Sequence, residues 1–273
     1  MANVIFPLQF SSGNPASFIA QRLVAVVVFI LCCLNARAQD APADTSNYPL
    51  IRSRIQDETF LIKMDPNSAE DYLKRGIYKF QVQDYDGAVA DNTMVIQLKP
   101  DNADAYSNRG MAKSSLKDYK SAIRDFTKAI ELMPNDAIDY LNRAYTEWLI
   151  KENEKAVDDL NKAIEINPRY TKAYINRGMA KKVLKDYTGA IQDYSKAIEL
   201  NPEYGEAYYN RGMAYDALKD YSNSITDYNK VIELNPDIID AYTNRGLAFE
   251  QLGDTVDATA DFNKADSLLQ KSK

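Results

Sequence analysis

Apolar positions fall into short blocks with helical spacing, and the blocks recur at one fixed interval. Within residues 103–134, Tyr106, Gly110, Ala112 and Leu116 mark a first block. Tyr119, Ala122, Ile123, Phe126, Ala129 and Ile130 mark a second, with steps of 3, 1, 3, 3 and 1. Residues at such steps share one side of a helix of 3.6 residues per turn, so each block predicts an amphipathic helix. Only Lys117-Asp118 separates the blocks, and so short a link makes the helices antiparallel neighbours. Pro134 lacks the amide hydrogen that a helix interior needs and closes the second helix. The small residues Gly110, Ala122 and Ala129 let helix backbones approach closely.

The same pattern is written six times. Pro66, Pro100, Pro134, Pro168, Pro202 and Pro236 stand 34 residues apart, and the copies span about 69–100, 103–134, 137–168, 171–202, 205–236 and 239–273. A period of this length marks stacked helix pairs, because each pair leaves apolar surface that only the next can cover. The predicted fold is all-α, an α-solenoid. Residues 61–66 (LIKMDP) echo the ends of later copies, so 48–65 reads as a half-repeat, a lone capping helix with Arg52, Arg54, Asp57 and Glu58 for its polar face. Asp266 stands where earlier copies have Ile96, Ile130, Ile164, Ile198 and Ile232, which makes the last helix a C-terminal cap. The third copy departs most, with Ala144 for Gly, Asn153 for Tyr and Leu160 for an aromatic, and it carries the only tryptophan, Trp148.

Small, aromatic and proline residues at these spacings make residues 69–273 resemble the tetratricopeptide repeat (TPR). The resemblance implies a right-handed superhelix of six helix–turn–helix repeats whose first helices line a concave groove. It implies a non-catalytic scaffold whose partner is another protein or a peptide segment. One departure is informative. Where the family often has Leu before the first-helix Gly, this chain has Arg75, Arg109, Arg143, Arg177, Arg211 and Arg245. Asp91, Asp125, Asp159, Asp193, Asp227 and Asp261 follow them by 16 residues. The turn lies midway, so both residues stand ~12 Å from it at 1.5 Å per residue. This predicts a ladder of Arg–Asp pairs between helices, since the planar guanidinium grips a carboxylate at two points. The alternative is two solvated rows that never meet.

Just before five of those arginines stand Asn108, Asn142, Asn176, Asn210 and Asn244, with Lys74 in the first copy. An amide both donates and accepts, so such a row can pair with the backbone of an extended peptide whatever its side chains. The row resembles the asparagine ladder in the repeats of O-linked N-acetylglucosamine transferases, which grips peptide backbone. Met111, Tyr145, Trp148, Met179, Tyr209 and Met213 lie on the same predicted face. Methionines make an adaptable surface, and Trp148 is a candidate anchor. Phe80, Ser114, Trp148, Lys182, Asp216 and Glu250, one turn on, make the face apolar in its first half and acidic toward its C-terminal end. The alternative is that the amides bond to neighbouring helices and the rest is ordinary core. The family's two-carboxylate clamp does not transfer, because Leu73 and Ile77 stand where basic residues are needed.

Residues 1–38 change the picture of where this happens. Leu23–Leu34 is an unbroken apolar run after Arg22, too short for a spanning helix of about 20 residues, and it leads to Ala36-Arg37-Ala38. That order reads as a secretory signal cleaved after Ala38, at a site formed by Ala36 and Ala38. The alternative is an uncleaved anchor. Residues 39–47 (QDAPADTSN) read as a disordered linker. The expected location is the periplasm or the exterior, with no stable membrane span after cleavage. The net charge is −6; without residues 1–38 it is 31 basic against 39 acidic residues, or −8, which disfavours nucleic acid. Histidine is absent, and both cysteines, Cys32 and Cys33, lie in the signal. The mature chain then has no disulfide, no His/Cys metal site and no His-based triad, and neither cofactor nor catalytic residue is expected. Asp84-Tyr85-Asp86-Gly87 lacks full calcium-loop spacing and reads as a helix turn. The leading function is an exported adaptor holding a peptide in its groove. The alternative is an assembly factor of a bacterial envelope complex, docking by its convex face or ends.

Overall fold

The computed structural model describes residues 48–271; the predicted signal with Ala36 and Ala38 and the linker 39–47 lie outside the described residues. These form thirteen helices and no strand. The chain divides into two compact units at Glu152/Asn153. The first holds α1 (Tyr48–Met64), α2 (Ala69–Gln81), α3 (Tyr85–Leu98), α4 (Ala103–Ser115), α5 (Tyr119–Leu132) and α6 (Ala137–Leu149). The second holds α7 (Asn153–Ile166), α8 (Thr171–Val183), α9 (Tyr187–Leu200), α10 (Gly205–Ala217), α11 (Tyr221–Leu234), α12 (Ile239–Gln251) and α13 (Thr255–Lys271). Among the described residues no helix is long and apolar enough to cross a membrane.

Each tight turn ends one helix and starts the next. Lys117 adopts a left-handed backbone (φ 65°), which lets the Asp118 amide reach back to the Lys113 carbonyl at 2.9 Å. This satisfies carbonyls that a helix end leaves bare. The Asp118 carboxylate then accepts from the Ser121 amide and caps α5. Gln83-Asp84, Lys185-Asp186 and Lys219-Asp220 repeat the arrangement, and the sixth copy places Gly253 (φ 82°) there. The Asp84 carboxylate accepts from the Gly87 amide, so the Asp84–Gly87 segment is a helix cap.

Within each unit, successive helices pack as antiparallel pairs, and each second helix also packs on the next first helix. Adjacent first helices meet as well: α2 with α4 and α4 with α6 in one unit, α8 with α10 and α10 with α12 in the other. The seam of a pair is a ring set against a glycine. Phe126 lies on Gly110, Tyr194 on Gly178, Tyr228 on Gly212 and Phe262 on Gly246. A methyl at any of these glycines would stand 2.7–2.9 Å from a ring atom. Phe126, Tyr194 and Tyr228 are fully buried, and burying each of them contributes roughly 1.5–3 kcal/mol. On α13, Asp266 is exposed while Leu268 is buried.

Candidate functional site

The arginine row and the aspartate row meet. Arg75 gives Nε to Asp91 at 2.8 Å and Nη2 to the same carboxylate at 2.6 Å. Arg109 grips Asp125 (2.8 and 2.7 Å), Arg177 grips Asp193 (3.0 and 2.5 Å), Arg211 grips Asp227 (2.8 and 2.7 Å) and Arg245 grips Asp261 (2.8 and 2.6 Å). Arg143 and Asp159 fall in different units. The bidentate bond raises the ionisation of Arg75, Arg211 and Arg245 further above the usual guanidinium range.

Three partners of this network escaped the sequence reading. The remaining guanidinium nitrogen, Nη1, donates backwards to the second helix of the preceding repeat. Its acceptors are Thr59, Thr93, Thr127, Asn161, Ser195 and Asn229, each 16 residues before its arginine, at 2.6–3.3 Å. Lys79, Lys113 and Lys181 add a second cation to Asp91, Asp125 and Asp193 at 2.7–2.9 Å. A tyrosine three positions before each arginine (Tyr72, Tyr106, Tyr140, Tyr174, Tyr208, Tyr242) lies under the guanidinium, 5.4–5.8 Å from ring centre to Cζ. The signal was present in the sequence as fixed offsets of −16, +4 and −3.

The proposed groove face is more closed than its sequence implied. Asn142, Asn176, Asn210, Met111, Trp148, Met179 and Tyr209 are buried, while Asn108, Tyr145, Met213 and Asn244 are half-buried. Neighbouring first helices approach one another, and their facing side chains are enclosed between them. Asn210, at 0% exposure, gives Nδ2 to the Glu206 carbonyl at 3.2 Å and takes a bond from Lys182 Nζ at 3.1 Å. Asn244 donates to the Tyr209 hydroxyl at 2.8 Å. Asn210 and Asn244 therefore spend bonding capacity on the protein itself. Tyr145 and Trp148 stack at 6.2 Å.

The second unit holds a set of enclosed polar groups that sequence reasoning overlooked. The Tyr194 hydroxyl, Glu206 Oε2 and Asp216 Oδ1 are shut off from solvent and have no hydrogen-bond partner in the protein. Burial pushes the Glu206 carboxyl and the Tyr194 phenol up, and it pushes the Lys182 ammonium down to about 8. The nearby Glu206 charge partly offsets the effect on Lys182. Above pH 8 native Lys182 sheds its proton while the unfolded chain keeps one to its ordinary value near 10.5, so stability rises with pH in that window. Urea unfolding from pH 7 to 10.5 is expected to show the parent gaining on Lys182→Met, by at most about 1.4 kcal/mol per pH unit. A constant difference between the two would mean that the ammonium is solvated. No group of three or more His, Cys, Asp or Glu among the described residues is placed to hold a metal ion.

Family models for the tetratricopeptide repeat match residues 103–136, 140–170 and 205–238, and a TPR repeat model matches 184–218. No curated protein matches the chain in sequence. Among solved structures, MamA is 31% identical, with a TM-score of 0.58 over 60% of this chain and 95% of that one. A tetratricopeptide repeat protein from Parabacteroides merdae is 23% identical, with a TM-score of 0.64 over 73% of this chain and 79% of that one. YrrB, a TPR protein with an unusual peptide-binding site, is 22% identical, with a TM-score of 0.58 over 67% and 95%. Stacked helix pairs, a 34-residue period and these matches together place the chain in the tetratricopeptide-repeat family, a family of protein-interaction scaffolds.

Proposed function

We propose that the chain is a non-catalytic adaptor that holds an extended segment of a partner protein along the face of its first helices. The observation that supports this most is a set of half-buried side chains on first helices, Asn108 and Tyr145 in the first unit and Met213 and Asn244 in the second. An amide both donates and accepts, so Asn108 in the first unit and Asn244 in the second can each meet a peptide backbone. Residues 22–38, read as a secretory signal, support a place in the periplasm or outside the cell. The acidic surface sets nucleic acid aside as a partner.

A second reading has one observation in its favour. Leu50, Phe60, Leu61 and Met64 on α1 are exposed, Met64 at 72%, so the N-terminal end also offers apolar surface for docking. One experiment separates the two. The purified protein and a variant with Asn108→Ala, Met213→Ala and Asn244→Ala, both checked for helix content by circular dichroism, are used to capture proteins from an envelope extract. The expected result is a partner retained by the parent and reduced at least tenfold with the variant. Equal retention by both moves the interface to the convex face or the ends.

A further inference from the structure

Among the described residues, α1 is a second helix with no first helix before it. Counted back one period, Asp57 stands where Asp91, Asp125, Asp193, Asp227 and Asp261 stand in later copies. Each of those is gripped by an arginine of its own first helix. Leu61 stands in the column of Val95, Ala129, Ala163, Ala197, Val231 and Ala265, none of which is more than 7% exposed. On α1 both positions are open. The Asp57 carboxylate is exposed and has no hydrogen bond or ion pair among the described residues, and Leu61 is 45% exposed. An ordinary first helix does not fit this face. Arg54 stands where later copies have a small residue, from Ala88 to Ala258, at 0–3% exposure, so its side chain holds off a close backbone. Residues 35–47, one period before α2, have Ala41 in the arginine's place and Pro42 in the glycine's, so they bring Asp57 no cation.

What the face does carry is a seam. Leu50, Arg54, Asp57, Leu61 and Met64 follow steps of 4, 3, 4 and 3, the spacing of a coiled-coil stripe, and all five are exposed. The isoleucines of α1, Ile51, Ile55 and Ile62, lie on another side and are half-buried or buried. The stripe is its own complement. Let two α1 helices run antiparallel with Arg54 of one facing Asp57 of the other. Asp57 of the first then faces Arg54 of the second, and Leu50 and Leu61 meet with the same reciprocity, as a two-fold contact requires. Two ion pairs stand at the centre with a leucine layer on each side. Other arrangements bring like charges together. In a parallel pair Arg54 meets Arg54 and Asp57 meets Asp57, and an antiparallel pair slipped by three residues sets Asp57 on Asp57. The guanidinium of Arg54 lies over the Tyr78 ring of α2, with Cζ 5.6 Å from its centre, so its place beside the seam is already set.

We propose that α1 pairs antiparallel with α1 of a second copy of this chain, Arg54 of each meeting Asp57 of the other between two layers of Leu50 and Leu61. The pair brings Asp57 the guanidinium that its equivalents in later copies take from a first helix. Covering Leu50, Leu61 and Met64 supplies the attraction, while the charges fix direction and register. Seventeen residues at 1.5 Å each make α1 about 26 Å long, so an interface confined to it lies at the small end of specific contacts. The dimer is therefore weak and concentration-dependent. The inference goes beyond the groove reading and does not depend on it.

Sedimentation equilibrium of the purified protein across the micromolar range reads the dimer directly. Asp57→Arg and Arg54→Asp each bring like charges together twice, and each is expected to raise the dimer dissociation constant about tenfold or more. Arg54→Asp combined with Asp57→Arg reverses both pairs and is expected to restore the parent's constant to within about threefold. The two single variants mixed in equal amounts are expected to form a mixed dimer, since a stripe with two cations then faces one with two anions. Both sites are exposed, and circular dichroism checks that every variant keeps its helices. A dimer that Asp57→Arg leaves intact, or a double variant no tighter than the singles, overturns the α1 pair. A monomeric parent overturns it too, and alkylation of Leu61→Cys then identifies what meets the face. A protected thiol means that residues 1–47 of the same chain cover it, and a reactive one means that it is left for a different protein.

Discussion

Gly178→Val is expected to destabilise the second unit by about 3 kcal/mol or more. A β-carbon at Gly178 would stand 2.7 Å from Tyr194 Cε1 and 2.9 Å from Cζ, distances that real contacts do not reach. The ring has nowhere to go, because Tyr194 is fully buried between α8 and its neighbours. Valine adds two methyl groups to that clash and loses side-chain freedom in a helix. Gly178→Ala carries the same first contact but gains up to about 1 kcal/mol of helix propensity, so its net cost is smaller. The third copy of the sequence changes both of these positions together, to Ala144 and Leu160. Gly178→Ala with Tyr194→Leu is therefore expected to recover most of the loss. The check is the urea midpoint of all three variants. A cost below about 1 kcal/mol for Gly178→Val would mean that the helix pair can spread, and the seam would not be what sets their spacing.

Arg211→Met is expected to cost about 3–5 kcal/mol, clearly more than Arg177→Met. Asp227 is 1% exposed, and Arg211 is the cation that holds it. Burial already pushes its carboxyl up, with the Arg211 bond opposing that shift. Asp193 has a second cation in Lys181 at 2.8 Å, whereas the matching place beside Asp227 is Tyr215. Removing Arg177 leaves a paired carboxylate; removing Arg211 leaves a buried charge alone. The large cost measures that orphaned charge more than the worth of the pair, because desolvation offsets much of the attraction in an intact pair. Arg211→Met with Asp227→Leu is accordingly expected to recover most of the loss. Thermal and urea unfolding of the two single variants and the double variant check this. Equal costs for Arg177→Met and Arg211→Met would show that the lysine contributes nothing.

The helix pairs, their boundaries at the prolines and the register of Arg with Asp were legible because each rests on local spacing. A 34-residue period and a 16-residue offset on antiparallel helices need no knowledge of how far apart the helices stand. The half-turn caps at Asp118, Asp186 and Asp220 were legible as turns for the same reason. Exposure was not. Whether Asn210 meets a peptide or its own helix depends on how closely α8, α10 and α12 approach, and nothing in the period sets that distance. The enclosed atoms of Tyr194, Glu206 and Asp216 were hidden likewise, because a hydroxyl added to a ring at Phe126's equivalent position looks conservative in sequence. The Thr, Ser and Asn acceptors of the arginines were visible as a column but change identity from copy to copy. Only the geometry shows that they share one role, that of accepting the guanidinium's third bond.

The backward reach of each arginine bears on how such a chain changes length. Arg211 bonds to Asp227 ahead of it and to Ser195 behind it, and both offsets are 16 residues. If residues 171–204 were excised, Arg211 would follow Asn161 by the same 16 positions, and Asn161 already accepts from Arg177. The cut ends would meet in matching phase, and no buried carboxylate would be separated from its arginine. A loss or gain of whole periods therefore rewrites no joint, whereas a change that is not a multiple of 34 residues puts the flanking joints out of register. Duplication and deletion of 34-residue blocks are the size steps this architecture tolerates, and partner reach can be lengthened or shortened by counting blocks.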